Sequence, residues 1–299
     1  MRNYILLFII LFFFSLNQHI YAQQAENTYK YMLGEIEFVL LSEGQQQGSD
    51  GILIGATQEM KDKTLRNGTF PNATNAFLIK TPEKNILIDT GFGRNLFDNM
   101  EKSGITSDQI NVILLTHMHG DHIGGMLKEN RLSFPNAEVY IPQPEYDYWM
   151  NDEIMNQHPE NRRGSFLNAR KVIKAYQDRL HLFQPGKFTD KNDLIPGVKS
   201  VAGYGHTPGH TLYLIESENE KLLVWGDLTH AMAIQMSYPQ VAVTYDTHPE
   251  DAIRSRQEVL EYVSVHQIPI AGMHIAYPAM GDIKTGLTGN YLFIPFVQQ

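Results

Sequence analysis

The segment Thr116-His117-Met118-His119-Gly120-Asp121-His122 constrains the fold of this chain more than any other stretch. It sets three histidines and one carboxylate within six residues, directly after the apolar run Val112-Ile113-Leu114-Leu115. A short buried strand that opens into a glycine-containing turn can bring such side chains into one cluster. Imidazoles and a carboxylate at that density repel, or stay unpaired, unless a cation sits among them. A divalent ion taking nitrogen and oxygen ligands, zinc first, suits the donor set. The other reading is a polar loop of solvated histidines, and it must account for more residues of the same kind downstream. His206 lies in Gly205-His206-Thr207-Pro208-Gly209-His210, Asp227 follows Leu222-Leu223-Val224-Trp225-Gly226, and His274 follows Ile268-Pro269-Ile270-Ala271-Gly272-Met273. Each stands at the end of a strand-like stretch or on the loop behind it, where functional groups are usually displayed.

The pattern His-x-His-x-Asp-His, then His, Asp and His, resembles the metallo-β-lactamase-fold hydrolases, from about Thr74 to Pro295. The resemblance implies an α/β chain folded as a four-layer αβ/βα sandwich whose two halves close around one site. It implies two zinc ions per chain. His117, His119 and His206 would hold the first, Asp121, His122 and His274 the second, and Asp227 would bridge them together with a hydroxide. Asp121 and Asp227 would thereby be catalytic as well as ligating. Asp89, in Ile88-Asp89-Thr90-Gly91, matches a position that orients a ligand histidine from behind; its plainer reading is a strand-end turn residue. His210 could be a ligand by sequence alone, but the family pattern makes it a supporting or structural residue. The chain has no cysteine, which removes the branch of the family that uses a thiolate ligand.

At 299 residues the chain has room for one large domain or two small ones. Met1-Arg2-Asn3 and the apolar run from Tyr4 to Leu16 read as a secretory signal. At 13 residues the run is short for a membrane span. Residues 1–22 are therefore expected to be a signal peptide, cleaved after Ala22, and 23–299 the hydrolase domain, in the periplasm or outside the cell. Ile20 breaks the small-x-small rule, which leaves an uncleaved anchor as the alternative. An exported chain without cysteine has no disulfide, and a domain of this size needs none. The net charge of −9 becomes −10 when the leader takes Arg2 with it. An acidic surface disfavours polyanionic substrates, so neither nucleic acid nor, after signal removal, a membrane is an expected partner.

Short strands are expected over 36–41, 75–80, 86–89, 112–115, 137–141, 198–202, 211–216, 221–225, 270–274 and 291–294. Helices are expected over 95–103, 166–178 and 249–266. In the last, Pro249 stands near the start, Glu250 and Asp251 lie in the first turn, and Ile253, Val259 and Val263 mark the apolar face. Pro142 to Pro185 is expected as a helical insertion lying over the active site, with Tyr146, Tyr148, Trp149, Met150, Met155 and Phe166. At helical spacing such a stripe serves a core or a pocket, and both readings stay open. The weakly patterned loop from Glu43 to Pro71, carrying Phe70, is a second candidate wall. The substrate contacts expected are Phe70, Tyr146, Trp149, Met150 and His230.

Two subgroups of the family look closest. One is the quorum-quenching N-acyl homoserine lactonases. The other is the organophosphate hydrolases of the methyl-parathion type, which share the long segment between the third and fourth histidines and Gly226-Asp227-Leu228-Thr229-His230. Many lactonases carry a tyrosine three residues after the bridging aspartate, where it meets the substrate carbonyl. His230 stands there in this chain, either as that helper or as a packing residue. The expectation is a secreted dizinc hydrolase opening the lactone ring of N-acyl homoserine lactones. The alternative is a phosphotriester or aryl ester hydrolase. A small-molecule lactone or ester is the expected partner, and a homodimer is what the family implies.

Overall fold

A computed structural model describes residues 27–191 and 193–297. The expected signal, residues 1–22, lies outside the described residues. Two sheets form the centre of the molecule. The first has seven strands in the order Thr28–Leu33, Ile36–Ser49, Thr69–Lys80, Asn85–Ile88, Val112–Leu114, Glu138–Pro142 and Leu180–Phe183. The second has six, in the order Val198–Ala202, Thr211–Ser217, Glu220–Val224, Ile270–Ala271, Met280–Thr285 and Tyr291–Pro295.

Alternation along the first sheet shows why it is buried on both faces. Phe38, Leu40, Phe77, Ile79, Ile86, Ile88, Val112 and Leu114 point towards the second sheet and pack with Leu212, Leu214, Leu222 and Val224. Their neighbours Val39, Leu41, Ala76, Leu78, Leu87 and Ile113 point the other way, under the helices Leu96–Lys102 and Glu160–Ala175. A period of two places consecutive residues on opposite faces, so continuous apolar runs belong in the middle of a layered fold. The helix Pro249–His266 covers the second sheet with Val259, Leu260 and Val263. Helix, sheet, sheet and helix make the expected sandwich.

The seam between the sheets is tied by buried hydrogen bonds close to the histidine segment. Thr211 N–H donates to Thr116 O at 3.0 Å, and Asn75 N–H to Met273 O at 3.0 Å. The Tyr213 hydroxyl donates to Leu115 O at 2.6 Å. These bonds hold the 116–122 turn and the 272–274 turn at a fixed separation.

Three expectations need correction. The segment 43–71 is not a loop. The strands Ile36–Ser49 and Thr69–Lys80 run on into a paired arm in which Gly48 faces Phe70, and the helix Gln58–Thr64 lies in its tip. Phe70 is therefore no pocket wall: it is fully buried in a small separate core with Ala231, Ile234 and Val241. Its ring fills the space in front of Gly48, where an added Cβ would lie 2.1 Å from Phe70 Cε2. The second correction is to the aromatic residues of the insertion as pocket walls. Its helices Gln143–Met150, Asp152–Gln157 and Glu160–Ala175 lead into the strand Leu180–Phe183, so the insertion is part of the sandwich. Trp149, Phe166 and Tyr148 are buried in the core beneath the first sheet, and Tyr146 packs against that core. Third, the strand expected over 270–274 ends at Ala271, because Gly272 to His274 turn away towards the site.

Candidate metal centre

Each candidate ligand leaves the end of a strand. The strand Val112–Leu114 delivers the turn 116–119 and the short helix Gly120–Ile123. His206 sits in the turn before Thr211–Ser217, Asp227 just after Glu220–Val224, and His274 just after Ile270–Ala271. Gly226 makes the sharp exit before Asp227 at φ +58°, a region open to glycine. A Cβ there would also lie 2.4 Å from His210 Nε2.

The structure brings all seven expected residues together. His117, His119, His206 and Asp227 form one group and Asp121, His122 and His274 a second, with the ligating atoms of each group within 4.8 Å of one another. Asp227, His230 and His274 make a third such group. Five imidazoles converge on Asp227. Its Oδ2 lies 3.7 Å from His117 Nε2, 3.3 Å from His206 Nε2, 3.1 Å from His230 Nε2 and 3.0 Å from His274 Nε2, and its Oδ1 lies 3.3 Å from His122 Nε2.

The far nitrogen of most of these rings is held from behind, and that fixes which nitrogen faces the centre. Thr116 Oγ1 donates to Asp89 Oδ2 at 2.6 Å and so accepts from His117 Nδ1 at 3.0 Å. Asp89 also takes His122 Nδ1–H at 2.7 Å, and Asp246 takes His206 Nδ1–H at 2.9 Å. His274 Nδ1–H donates to Ala73 O at 2.8 Å. His117 Nε2 and His206 Nε2 are left pointing inward, each 3.0 Å from His119 Nδ1. One proton between two nitrogens cannot satisfy three that meet, whereas one cation can. His122 Nε2 and Asp227 Oδ1 are buried without a hydrogen bond, an expensive state unless a ligand completes them. Nitrogen and oxygen donors in this arrangement fit divalent metal ions of the zinc kind.

Electrostatics point the same way. Burial alone would raise Asp227, but the histidine charges around it hold its carboxyl well below the usual range. Burial alone would lower His122, His206 and His274. The surrounding carboxylates outweigh it, lifting His122 well above the ordinary value, His206 to about 9 and His274 upward. Burial, with neighbouring imidazoles, takes His119 and His210 down to about 3, and burial takes His230 to about 4. The cluster attracts positive charge, which protons or metal ions can supply.

The supporting residues divide clearly. Asp89 holds His122 directly and His117 through Thr116, from a backbone at φ +57°. His210 Nδ1–H donates to Gly203 O at 2.8 Å, so its Nε2 accepts the Asp227 backbone N–H at 2.9 Å. His210 thus fixes the backbone of Asp227 and is no ligand in this geometry. His230 is buried, its backbone held by Gln235 and Asn72, and its ring stacks on His274 at 4.6 Å. Besides His230, Trp149 alone of the expected pocket residues meets the cluster, its ring 5.8 Å from His119. It does so as a buried residue whose indole N–H donates to Glu145 at 2.6 Å. Met150 is 39% exposed at the end of its helix. Sequence reasoning missed Asp246, Glu145 and Tyr245, the last 53% exposed with its ring 5.7 Å from His230. No motif marks these three; chain folding alone brings them to the centre.

Comparison with known proteins agrees with this geometry. The model of the metallo-beta-lactamase superfamily matches residues 69–266. The crystal structure of AidC, a dizinc quorum-quenching lactonase in complex with the product N-hexanoyl-L-homoserine, superposes with a TM-score of 0.81 at 30% identity, covering 91% of this chain and 98% of that one. Hydrolase AbOPH of the beta-lactamase superfamily superposes with a TM-score of 0.84 at 27% identity, covering 93% and 100%. Among curated proteins, the lactamase-like protein vrtG of Penicillium aethiopicum is 22% identical over 242 residues, 76% of this chain and 74% of its own length. With the family's matched region spanning most of the sandwich and the histidine–aspartate cluster at its seam, the chain belongs to the metallo-beta-lactamase superfamily and is a metal-dependent hydrolase.

Proposed function

We propose that this chain is a dizinc lactonase that opens the ring of N-acyl homoserine lactones. The observation that carries this reading is the 30% identity, over nearly full length, to a dizinc lactonase holding a hexanoyl-homoserine product, joined to a cluster with ligands for two ions. His117, His119 and His206 would hold one zinc ion, Asp121, His122 and His274 the other, and Asp227 would reach both. When bound, the two ions supply a water acidified enough to attack near neutral pH and Lewis acidity towards the substrate oxygen.

The residues do the rest. Asp121 is the more open of the two cluster carboxylates, with 23% of its side chain exposed. In the metal-free protein the charges of His122 and His274 outweigh its burial and keep its pKa below the usual value; its open side places it to accept the proton released as water adds to the carbonyl. His230 stays neutral at neutral pH and carries one ring N–H, and its Nδ1 has no hydrogen-bond partner. Its Nε2 faces Asp227 Oδ2 at 3.1 Å; with Asp227 given over to the ions, the ring proton would sit on Nδ1 and meet the oxygen that gains charge in the transition state. Tyr245 borders this position with its ring half open to solvent and offers an apolar face to the substrate. The apolar stretch at Tyr4 to Leu16 supports export to the periplasm or beyond, where a diffusing signal is met.

Proton release during ring opening of hexanoyl-homoserine lactone, run beside an aryl ester and an aryl phosphotriester, tests the reading. Metal-dependent acidification with the lactone is expected. Hydrolysis of the phosphotriester with no lactone opening above background would overturn it.

A further inference from the structure

The insertion supplies one side chain to the metal centre that no sequence motif marks. Glu145, in the helix Gln143–Met150, is fully buried and accepts four hydrogen bonds. Oε1 takes the Met118 N–H at 2.9 Å and the Trp149 indole N–H at 2.6 Å. Oε2 takes the Thr207 hydroxyl at 2.6 Å and the Gly209 N–H at 3.0 Å. Met118 lies between His117 and His119, and Thr207 directly follows His206. One carboxylate therefore clamps the two turns that carry all three histidines of the first group. The turn docks so closely that a Cβ at Gly209 would lie 2.1 Å from the Glu145 backbone nitrogen. The second group hangs on other supports, Asp89 behind His122 and Ala73 O behind His274.

We propose that Glu145 is a positioning residue that sets the spacing of His117, His119 and His206, and so governs the affinity of that ion site independently of its neighbour. This rests on the two-ion reading above. Carboxylates behind ligating residues tune metal affinity by about tenfold to a hundredfold in other proteins. Here the carboxylate acts through the backbone of the ligand turns. Glu145→Gln keeps the shape but replaces one oxygen with an NH2 group. Whichever way the amide turns, that group faces a backbone N–H, of Met118 or of Gly209, which cannot become an acceptor.

The experiment uses the full chain stripped of metal and titrated with Zn2+ against a competing chromophoric chelator. The native chain should take up two ions. Glu145→Gln should bind one of them about tenfold to a hundredfold more weakly and the other with native affinity. Co2+ spectra should change for the weakened site alone. Thr207→Val, which removes a single tie beside His206, should shift the same ion in the same direction and decides the matter if Glu145→Gln does not fold. Equal weakening of both ions, or native affinity for both, in Glu145→Gln and Thr207→Val would overturn the role of Glu145. A native chain that never binds a second ion would instead overturn the two-ion reading.

Discussion

Asp227 is surrounded by five imidazoles, and its Oδ1 is buried without a hydrogen bond; the two-ion proposal gives that oxygen an ion shared between the two groups. Asp227→Ala should therefore lose both ions and the activity, because it removes the shared ligand and leaves two cations facing each other. Metal analysis of the purified variant checks this, and a fully active Asp227→Ala protein with tightly bound metal would refute the assignment. His230 makes the opposite case. It lies 3.1 Å from Asp227, but its neutral ring stands at the face where Tyr245 opens to solvent. His230→Phe should keep both ions and lower kcat on the order of tenfold to a thousandfold, the range for removing one oxyanion donor. Loss of an ion in His230→Phe would instead place His230 in the group it forms with Asp227 and His274.

At the scale of elements, the paired arm changes what Phe70 should do. Phe70 is packed among Ala231, Ile234 and Val241 and holds the arm against the segment after Asp227. Phe70→Ala should cost roughly 3–5 kcal/mol of stability and leave preference among acyl chain lengths unchanged, as thermal melts and kinetics on short and long lactones would reveal. A flattened chain-length trend with native stability would return Phe70 to the pocket. The arm was illegible in sequence because Gln45, Gln46 and Gln47 give no apolar period, and only pairing with Asn72, Pro71 and Ala73 shows the strand. The helix Pro249–His266 was legible to its ends, since proline, first-turn acids and a 3.6-residue apolar period all act locally. The seven cluster residues were legible because each stands at a strand end or on the loop behind it, and because together they follow the His-x-His-x-Asp-His, His, Asp, His order of the resembled family. Glu145 and Asp246 were not, since an acid in a polar stretch reads as solvated until folding buries it. Trp149 and Phe166 show the same limit. Their spacing fits pocket or core alike, and the docking of Glu160–Ala175 on the sheet settles it for core.

For the molecule as a whole, the seam between two sheets is also where charge is balanced, and this links metal, protons and stability. In the metal-free protein, His206 at about 9, with His122 and His274 also raised, binds protons more tightly folded than unfolded. For His206 this stabilisation is fully present below the ordinary histidine value near 6.5 and is lost as pH rises through about 9, and His122 and His274 act in the same direction. His119 and His210 at about 3 and His230 at about 4 behave oppositely. The unfolded chain takes up protons there that the folded one refuses, so stability falls as pH drops from 6.5 towards those values. Asp227, held low, adds stability above the ordinary carboxylate value that is lost as pH falls through its folded one. The metal-free melting temperature should accordingly pass through a maximum near pH 6.5 and decline on both sides. Metal ions replace the protons on His122, His206 and His274, so loading at pH 7 should release more than one proton per chain, measurable with an indicator dye. The gap in melting temperature between zinc-loaded and stripped protein should then widen from pH 6 to pH 9, as metal ceases to compete with protons. Calorimetry of both forms across that range provides the check. A gap that stays constant or narrows, with no proton released on loading, would mean that the cluster does not exchange protons for metal.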